Sequence, residues 1–227
     1  MEALGQSYRT YALDFWGFGE SGKKRSTYQV QDFVSLVDQF MEKLGIFGAP
    51  LVGHSMGGTV SLSVALRYPQ RAQKVIIIGS PIVGSSLALP LKFAGYRGIA
   101  YLLFHMFGAF RLAMRVASPF ICRDPDFPAM MDRDLSKTTL ESFLISIASL
   151  RQTDLRSELN KISVPVMGMF GDRDNIVNPD QWKALQSGLP EARIERFPKA
   201  GHFIMLDDPK NFMMKLKDFL ANSPVNE

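Results

Sequence analysis

Short apolar runs alternate with amphipathic stretches along this chain. Tyr8 to Leu13 is rich in β-branched and aromatic residues and runs into Gly17-Phe18-Gly19-Glu20-Ser21-Gly22, which predicts a strand followed by a loop. From Tyr28 onward Val30, Phe33, Val34, Val37, Phe40, Met41 and Leu44 keep a 3.6-residue period, and Gly45 follows as a stop, so the spacing predicts a helix. A short apolar strand, Pro50-Leu51-Val52, leads through Gly53-His54-Ser55-Met56-Gly57-Gly58 into a helix over Thr59 to Arg67. Val75-Ile76-Ile77-Ile78 is a continuous apolar run of the kind buried on both faces of a parallel sheet. Val164 to Phe170 and Ala192 to Phe197 predict two more strands, Trp182 to Gln186 a helix between them, and Asn211 to Leu220 a closing amphipathic helix. Strands alternating with helices imply an α/β fold, a mostly parallel sheet with helices on both faces.

The alternation stops between Ser80 and Lys161, where the pattern becomes helical without a strand. We read residues 82–160 as a helical cap inserted over the strand ends, and residues 1–81 and 161–227 as the core. Leu87 through Phe120 is rich in Leu, Phe, Met and Tyr; Phe93, Tyr96, Tyr101, Leu102, Leu103, Phe104, Met106, Phe107, Phe110 and Met114 stand close together. Part of that surface is expected to line an acyl-binding pocket. Arg97, Arg111 and Arg115 fall near one helical azimuth. They read first as a solvated basic face and second as a rest on an anionic membrane surface.

Composition narrows this picture only a little. The 227 residues suffice for one sizeable core, and 46% hydrophobic against 21% charged is ordinary globular usage. A net charge of +4, with Lys and Arg scattered among acids, gives no nucleic-acid footprint. The lone Cys122 leaves no intramolecular disulfide, and Met1 is followed by no charged-then-apolar leader, so a cytoplasmic location is expected. The uncharged stretch from Gly98 to Phe110 is shorter than the roughly 20 residues that span a bilayer. No His/Cys/Asp/Glu cluster has metal-ligand spacing, so neither a metal nor a cofactor is expected.

Gly53-x-Ser55-x-Gly57 matches the nucleophile elbow, a strained strand-to-helix turn that lifts a serine hydroxyl above a sheet. A serine needs a base to take its proton, and there are three histidines. His54 adjoins Ser55 across the sharp turn and reads as a packing or hydrogen-bonding residue beneath it. His105 lies in the apolar insertion and reads as a core or pocket residue. His202, in a glycine-containing loop between a strand and the last helix, is placed to present a mobile imidazole. A carboxylate must hold that base in one tautomer, and Gly171-Asp172-Arg173-Asp174 offers two at a strand end. We take Asp174 as the acid, with Asp172 as a turn-former or helix cap. The order Ser, acid, His excludes the chymotrypsin-like and subtilisin-like arrangements.

From Tyr8 to its C-terminus the chain resembles the α/β-hydrolase fold family, in its cap-bearing, serine-esterase-like branch. The resemblance rests on Ala12-Leu13-Asp14-Phe15-Trp16-Gly17-Phe18-Gly19-Glu20-Ser21, Gly53-His54-Ser55-Met56-Gly57-Gly58, Gly171-x-x-Asp174 and Gly201-His202, in that order. It implies Ser55 as nucleophile, Asp174 as acid, His202 as base and the Met56 backbone N–H as half of an oxyanion hole. The implied reaction is hydrolysis of an ester or thioester with a hydrophobic acyl or alkyl group. Carbon–carbon bond hydrolysis and cofactor-free perhydrolysis use the same residues. The family's N-terminal strands and His-Gly oxyanion loop have no counterpart here, and Met1 to Gly5 resembles the end of the helix after that loop. The third family strand lies between those matched by Tyr8–Leu13 and Pro50–Val52, so either a gap in the sheet or a shifted pairing is expected.

Two rival readings start from other features. Gly17-x-Gly19-x-x-Gly22 after a strand satisfies the dinucleotide fingerprint and would suggest an NAD(P)-binding oxidoreductase. Yet Lys23 to Thr27 intervene where a helix should open, and Lys24 replaces the hydroxyl residue that a P-loop requires. The other rival is a binding protein of the same fold that keeps the triad residues without turnover.

Overall fold

The computed structural model describes residues 2–23, 26–87, 112, 115–119, 121–122 and 124–222. Its centre is a sheet of four parallel strands in sequential order: β1 (Ala49–His54), β2 (Ala72–Ile78), β3 (Val166–Gly171) and β4 (Arg193–Phe197). Helices precede and join them: α1 (Glu2–Gly5), α2 (Val30–Lys43), α3 (Met56–Arg67), α4 (Phe127–Ser136), α5 (Leu140–Gln152), α6 (Gln181–Gly188), α7 (Ile204–Asp207) and α8 (Pro209–Asn222).

The continuous apolar runs are explained by burial on both faces. In β2, Val75 and Ile77 point to the face covered by α3 and α6, where Leu62, Ala65, Leu159 and Leu185 complete a core. Ile76 and Ile78 point the other way, onto α7 and α8 through Ile204, Phe212, Leu216 and Phe219. β3 repeats the split, with Val166 and Phe170 on the first face and Met167 and Met169 on the second. Successive side chains alternate faces, so a strand covered on both sides must be apolar at every position. Buried Lys74 ends this pattern in β2. Its Nζ donates to the carbonyls of Phe219 and Leu220, binding the last turn of α8 to the sheet at a helix end that favours a cation.

The predicted strand over Tyr8–Leu13 does not form: residues 9–15 have no regular structure, and Tyr8 and Tyr11 are exposed. A strand exists only by pairing, and β1 pairs only with β2 among the described residues. Neither expected outcome is seen among the described residues: the sheet is continuous from β1 to β4 and simply ends at β1, because the segment expected to flank a gap or to pair in a new register forms no strand. Among the described residues β1 therefore has no strand on its outer side, and Val52 is 44% exposed. The segment remains anchored by its aromatics, Phe15 stacking on Phe33 of α2 at 4.6 Å and Tyr11 meeting Phe40 edge-on.

Between β2 and β3 the described residues form helices and no strand, only isolated bridges such as Val83 with Asp154. α5 is capped by Thr139, whose hydroxyl accepts the Ser142 N–H. It meets the core where Ser149 Oγ accepts the Val30 N–H and Ser142 Oγ donates to Gly17 O. Most of the aromatic-rich stretch named above, from Phe93 to Met114, lies outside the described residues, as do Arg97, His105 and Arg111; Arg115 is exposed. Among the described residues no helix is long and apolar enough to cross a membrane.

Candidate active site

Ser55 sits between β1 and α3 with φ 53° and ψ −123°, a conformation that L-residues avoid and that costs on the order of 1–3 kcal/mol. The turn is held because the Ser55 N–H donates to Ile78 O of the neighbouring strand at 2.8 Å. It is also held by close backbone approach. A Cβ on Gly53 would lie 2.2 Å from the Gly57 carbonyl and 2.4 Å from Gly58 N, and one on Gly58 would lie 2.0 Å from Ser80 Oγ. Gly57 has open space where its Cβ would be. The two glycines of the pentapeptide are therefore unequal: Gly53 is required by packing and Gly57 is not. Met56 is the first residue of α3, where a backbone N–H has no acceptor within the helix and the helix dipole favours negative charge.

At the ends of β3 and β4 the structure brings His202 and Asp174 together. His202 Nδ1 lies 2.7 Å from Asp174 Oδ2, with side chains 4% and 3% exposed. The other carboxylate oxygen, Oδ1, accepts the N–H groups of Ile176 and Val177 at 2.8 and 2.9 Å, fixing its plane. Gly79, at the end of β2 with φ 53°, leaves the space that both groups occupy; a Cβ there would stand 3.3 Å from Asp174 Oδ2 and His202 Nδ1. Asp172 points elsewhere and pairs with Arg196 at 2.9 Å. The geometry thus separates two aspartates that stand only two positions apart in the sequence.

The His202 loop is tied from several directions. Arg173 N–H donates to Ala200 O, Asp207 Oδ2 accepts the Gly201 N–H at 2.7 Å, and Cys122 Sγ lies 3.8 Å from Asp207 Oδ1. From α4, the Phe127 ring packs on Phe203 at 4.5 Å. His54 extends from β1 to His202, its Nε2 3.0 Å from His202 O and its ring 4.6 Å from the His202 ring. Burial, and then the neighbouring His202, push the His54 pKa down to about 4, so His54 is neutral near pH 7. Asp207 and Gly79 are absent from the sequence reading, because neither has a local signal beyond proximity to His202 and to the β2 run.

The glycine-rich loop after residue 15 closes on itself. Gly17 N–H donates to Gly22 O, and Asp14 accepts the Glu20 N–H at 3.0 Å and, through its backbone carbonyl, the Ser21 hydroxyl. The next helix starts only at Val30, so the loop does not open onto a helix as a dinucleotide fingerprint must. Among the described residues no group of three His, Cys, Asp or Glu side chains is placed to hold a metal ion.

A parallel sheet with a strained serine turn and a buried His–Asp pair at its strand ends defines an α/β-fold hydrolase. The alpha/beta hydrolase fold model matches residues 1–209, and the chain belongs to that family. A 2-hydroxy-6-oxo-6-phenylhexa-2,4-dienoate hydrolase of Burkholderia cepacia is 30% identical over 199 residues, covering 82% of this chain and 67% of that protein. A 2-hydroxy-6-oxononadienedioate/2-hydroxy-6-oxononatrienedioate hydrolase of Cupriavidus pinatubonensis is 27% identical, covering 95% and 77%. An esterase from Exiguobacterium antarcticum shares the fold with a TM-score of 0.81 at 22% identity, covering 96% of this chain and 84% of its own.

Proposed function

We propose that this chain is a serine hydrolase that cleaves an ester or thioester bearing a hydrophobic acyl or alkyl group, with Ser55, His202 and Asp174 as its triad and residues 82–160 as its cap. The buried 2.7 Å contact between His202 and Asp174 carries the reading. With Nδ1–H committed to the carboxylate, Nε2 is the nitrogen left to act as base. Ser55 Oγ attacks the substrate carbonyl carbon while Nε2 takes its proton. Negative charge grows on the carbonyl oxygen, where the Met56 N–H and the dipole of α3 favour it. Collapse expels the leaving group, which takes the proton from His202. Water, deprotonated by the same nitrogen, then attacks the acyl-serine and frees the enzyme.

Phe127 and Phe203 bring apolar surface from the inserted helices to the catalytic loop, which suits a hydrophobic substrate group. A second reading comes from the relatives named as 2-hydroxy-6-oxo-dienoate hydrolases: the same residues cleaving a carbon–carbon bond next to a ketone. The test is labelling by a fluorophosphonate together with turnover of aryl esters, an acyl thioester and a 2-hydroxy-6-oxo-dienoate. Ser55→Ala should abolish both labelling and turnover with the fold retained. Labelling that persists in Ser55→Ala would remove the nucleophile assignment; turnover of the dienoate alone would select the second reading. A wild-type protein that binds substrate without labelling would be a binding protein of this fold.

A further inference from the structure

His54 stands one residue before the nucleophile, and the mechanism above does not use it. Its ring lies between two parts of the molecule that are 148 residues apart in sequence, the end of β1 and the loop that carries His202. The contact has a defined chemical sense. The partner of His54 Nε2 is a main-chain carbonyl, which can only accept, so Nε2 carries the hydrogen and the lone pair lies on Nδ1. We propose that His54 is a positioning residue for the base: its Nε2–H, donated to the His202 carbonyl, fixes the backbone of the base-bearing residue against the strand that bears Ser55. This rests on the triad reading of the preceding subsection.

Packing supports the assignment independently of the hydrogen bond. The His54 ring contacts the His202 ring at 4.6 Å and the Phe203 ring at 5.0 Å, so it fills the space beside both residues of the loop. The other ties named above act on the neighbours of His202, by hydrogen bonds at Ala200 and Gly201 before it and by the Phe127 ring on Phe203 after it. Asp174 holds the imidazole of His202, and His54 holds its main chain. Side chain and backbone are thus fixed by different residues, from β3 and from β1. The base has to be neutral at rest and becomes an imidazolium during the reaction. The titratable groups that act on the His54 ring are His202 and, behind it, Asp174. A second cation at 4.6 Å would oppose formation of that imidazolium; a neutral donor does not.

The test compares His54→Gln, whose amide reaches outward with an N–H donor, with His54→Phe, which keeps a ring of similar size and loses the donor. In the full chain, His54→Phe should lower kcat and the fluorophosphonate labelling rate by about 10- to 100-fold with little change in KM, because misplacing a catalytic group by about 1 Å has an effect of that size. His54→Gln should recover most of the loss. The far-downfield proton resonance of the His202–Asp174 hydrogen bond should broaden or move in His54→Phe and remain in His54→Gln. That resonance reads the loop whether or not the protein turns over, so a wild-type protein that fails to label sinks the triad reading and leaves the positioning test intact. Full labelling in His54→Phe would overturn the proposal. So would equal impairment of both variants with an unmoved resonance. If His54→Phe does not fold, a His54→Gln protein with wild-type labelling and resonance supports the role, and one that folds but has lost the resonance overturns it.

Discussion

Replacing Asp174 by Asn alters one atom type at the centre of the site, and the surrounding geometry dictates the result. In the native protein Oδ1 accepts two backbone N–H groups, from Ile176 and Val177 at 2.8 and 2.9 Å, while Oδ2 accepts His202 Nδ1–H at 2.7 Å. An asparagine has one oxygen and one NH₂. Turning the NH₂ toward Ile176 and Val177 would set donors against donors and leave two N–H groups unpaired, at about 1–3 kcal/mol each. The oxygen therefore stays with the backbone and the NH₂ faces His202. Nδ1 must then accept, its hydrogen moves to Nε2, and the nitrogen that takes the Ser55 proton in the proposed mechanism already carries one. A wrong tautomer lowers kcat by about 10⁴ in a serine protease, or about 5 kcal/mol of barrier, and a similar loss is expected here. Asp172→Asn removes only a partly exposed ion pair with Arg196, worth at most about 1 kcal/mol of stability, and should leave kcat within about threefold. The assay is initial-rate hydrolysis of a short-chain aryl ester, with fluorophosphonate labelling of Ser55 in parallel and thermal melts of both variants. Asp174→Asn retaining a tenth of wild-type rate, or Asp172→Asn losing as much as Asp174→Asn, would refute the assignment.

Two further predictions concern the turn and its histidine. Gly53→Ala places a Cβ 2.2 Å from backbone and should destabilise the fold by about 3 kcal/mol or more, whereas Gly57→Ala meets nothing and should melt at or slightly above the wild-type temperature; similar melts would refute the packing argument. His54, with a folded pKa of about 4 against about 6.5 in an unfolded chain, stays neutral while the unfolded state takes up a proton, so the native state loses stability as pH falls from about 6.5 to 4. The loss relative to His54→Gln should grow to at most about 3 kcal/mol and stop growing below pH 4; urea titrations at pH 7 and 4.5 that fall in parallel for the two proteins would exclude this depressed pKa.

Much of the sheet and most of the candidate site are legible in the sequence, for identifiable reasons. β2 and β3 are covered on both faces and are continuous apolar runs; α2 is covered on one face and keeps its period. Ser55 has a local pattern, Gly53-x-Ser55-x-Gly57, that encodes a backbone conformation. Tyr8–Leu13 fails because β-propensity describes what a segment can do once a neighbour exists, and no described strand pairs with it. The role of Gly79 is equally invisible, since its missing Cβ matters only once Asp174 and His202 arrive from β3 and β4. His54 was legible as a hydrogen-bonding residue beneath the turn, but its acceptor lies 148 positions away. Asp172 and Asp174 stand two positions apart, and only the Ile176 and Val177 N–H groups show which of them turns inward.

The strand that leads into Ser55 is also the edge of the sheet among the described residues, and the two facts are compatible because the site is held from one side. Ser55 N–H is bonded to Ile78 of β2, Gly53 is pressed on Gly57 and Gly58 of α3, and His54 reaches the His202 loop. None of these ties uses the outer edge of β1. Val52, 44% exposed, is therefore the position at which the edge can be altered without touching the site. An edge strand with free backbone groups and an exposed apolar side chain is a template for pairing with another chain, and a lysine is a common block to it. Val52→Lys should accordingly change stability by no more than about 0.5 kcal/mol, as for surface substitutions generally, and leave the labelling rate of Ser55 within about twofold. Light scattering and sedimentation at raised protein concentration should show less self-association than in the wild type. A destabilisation above about 2 kcal/mol would mean that Val52 is covered in solution, and a loss of labelling without a loss of stability would mean that the outer edge does support the serine turn.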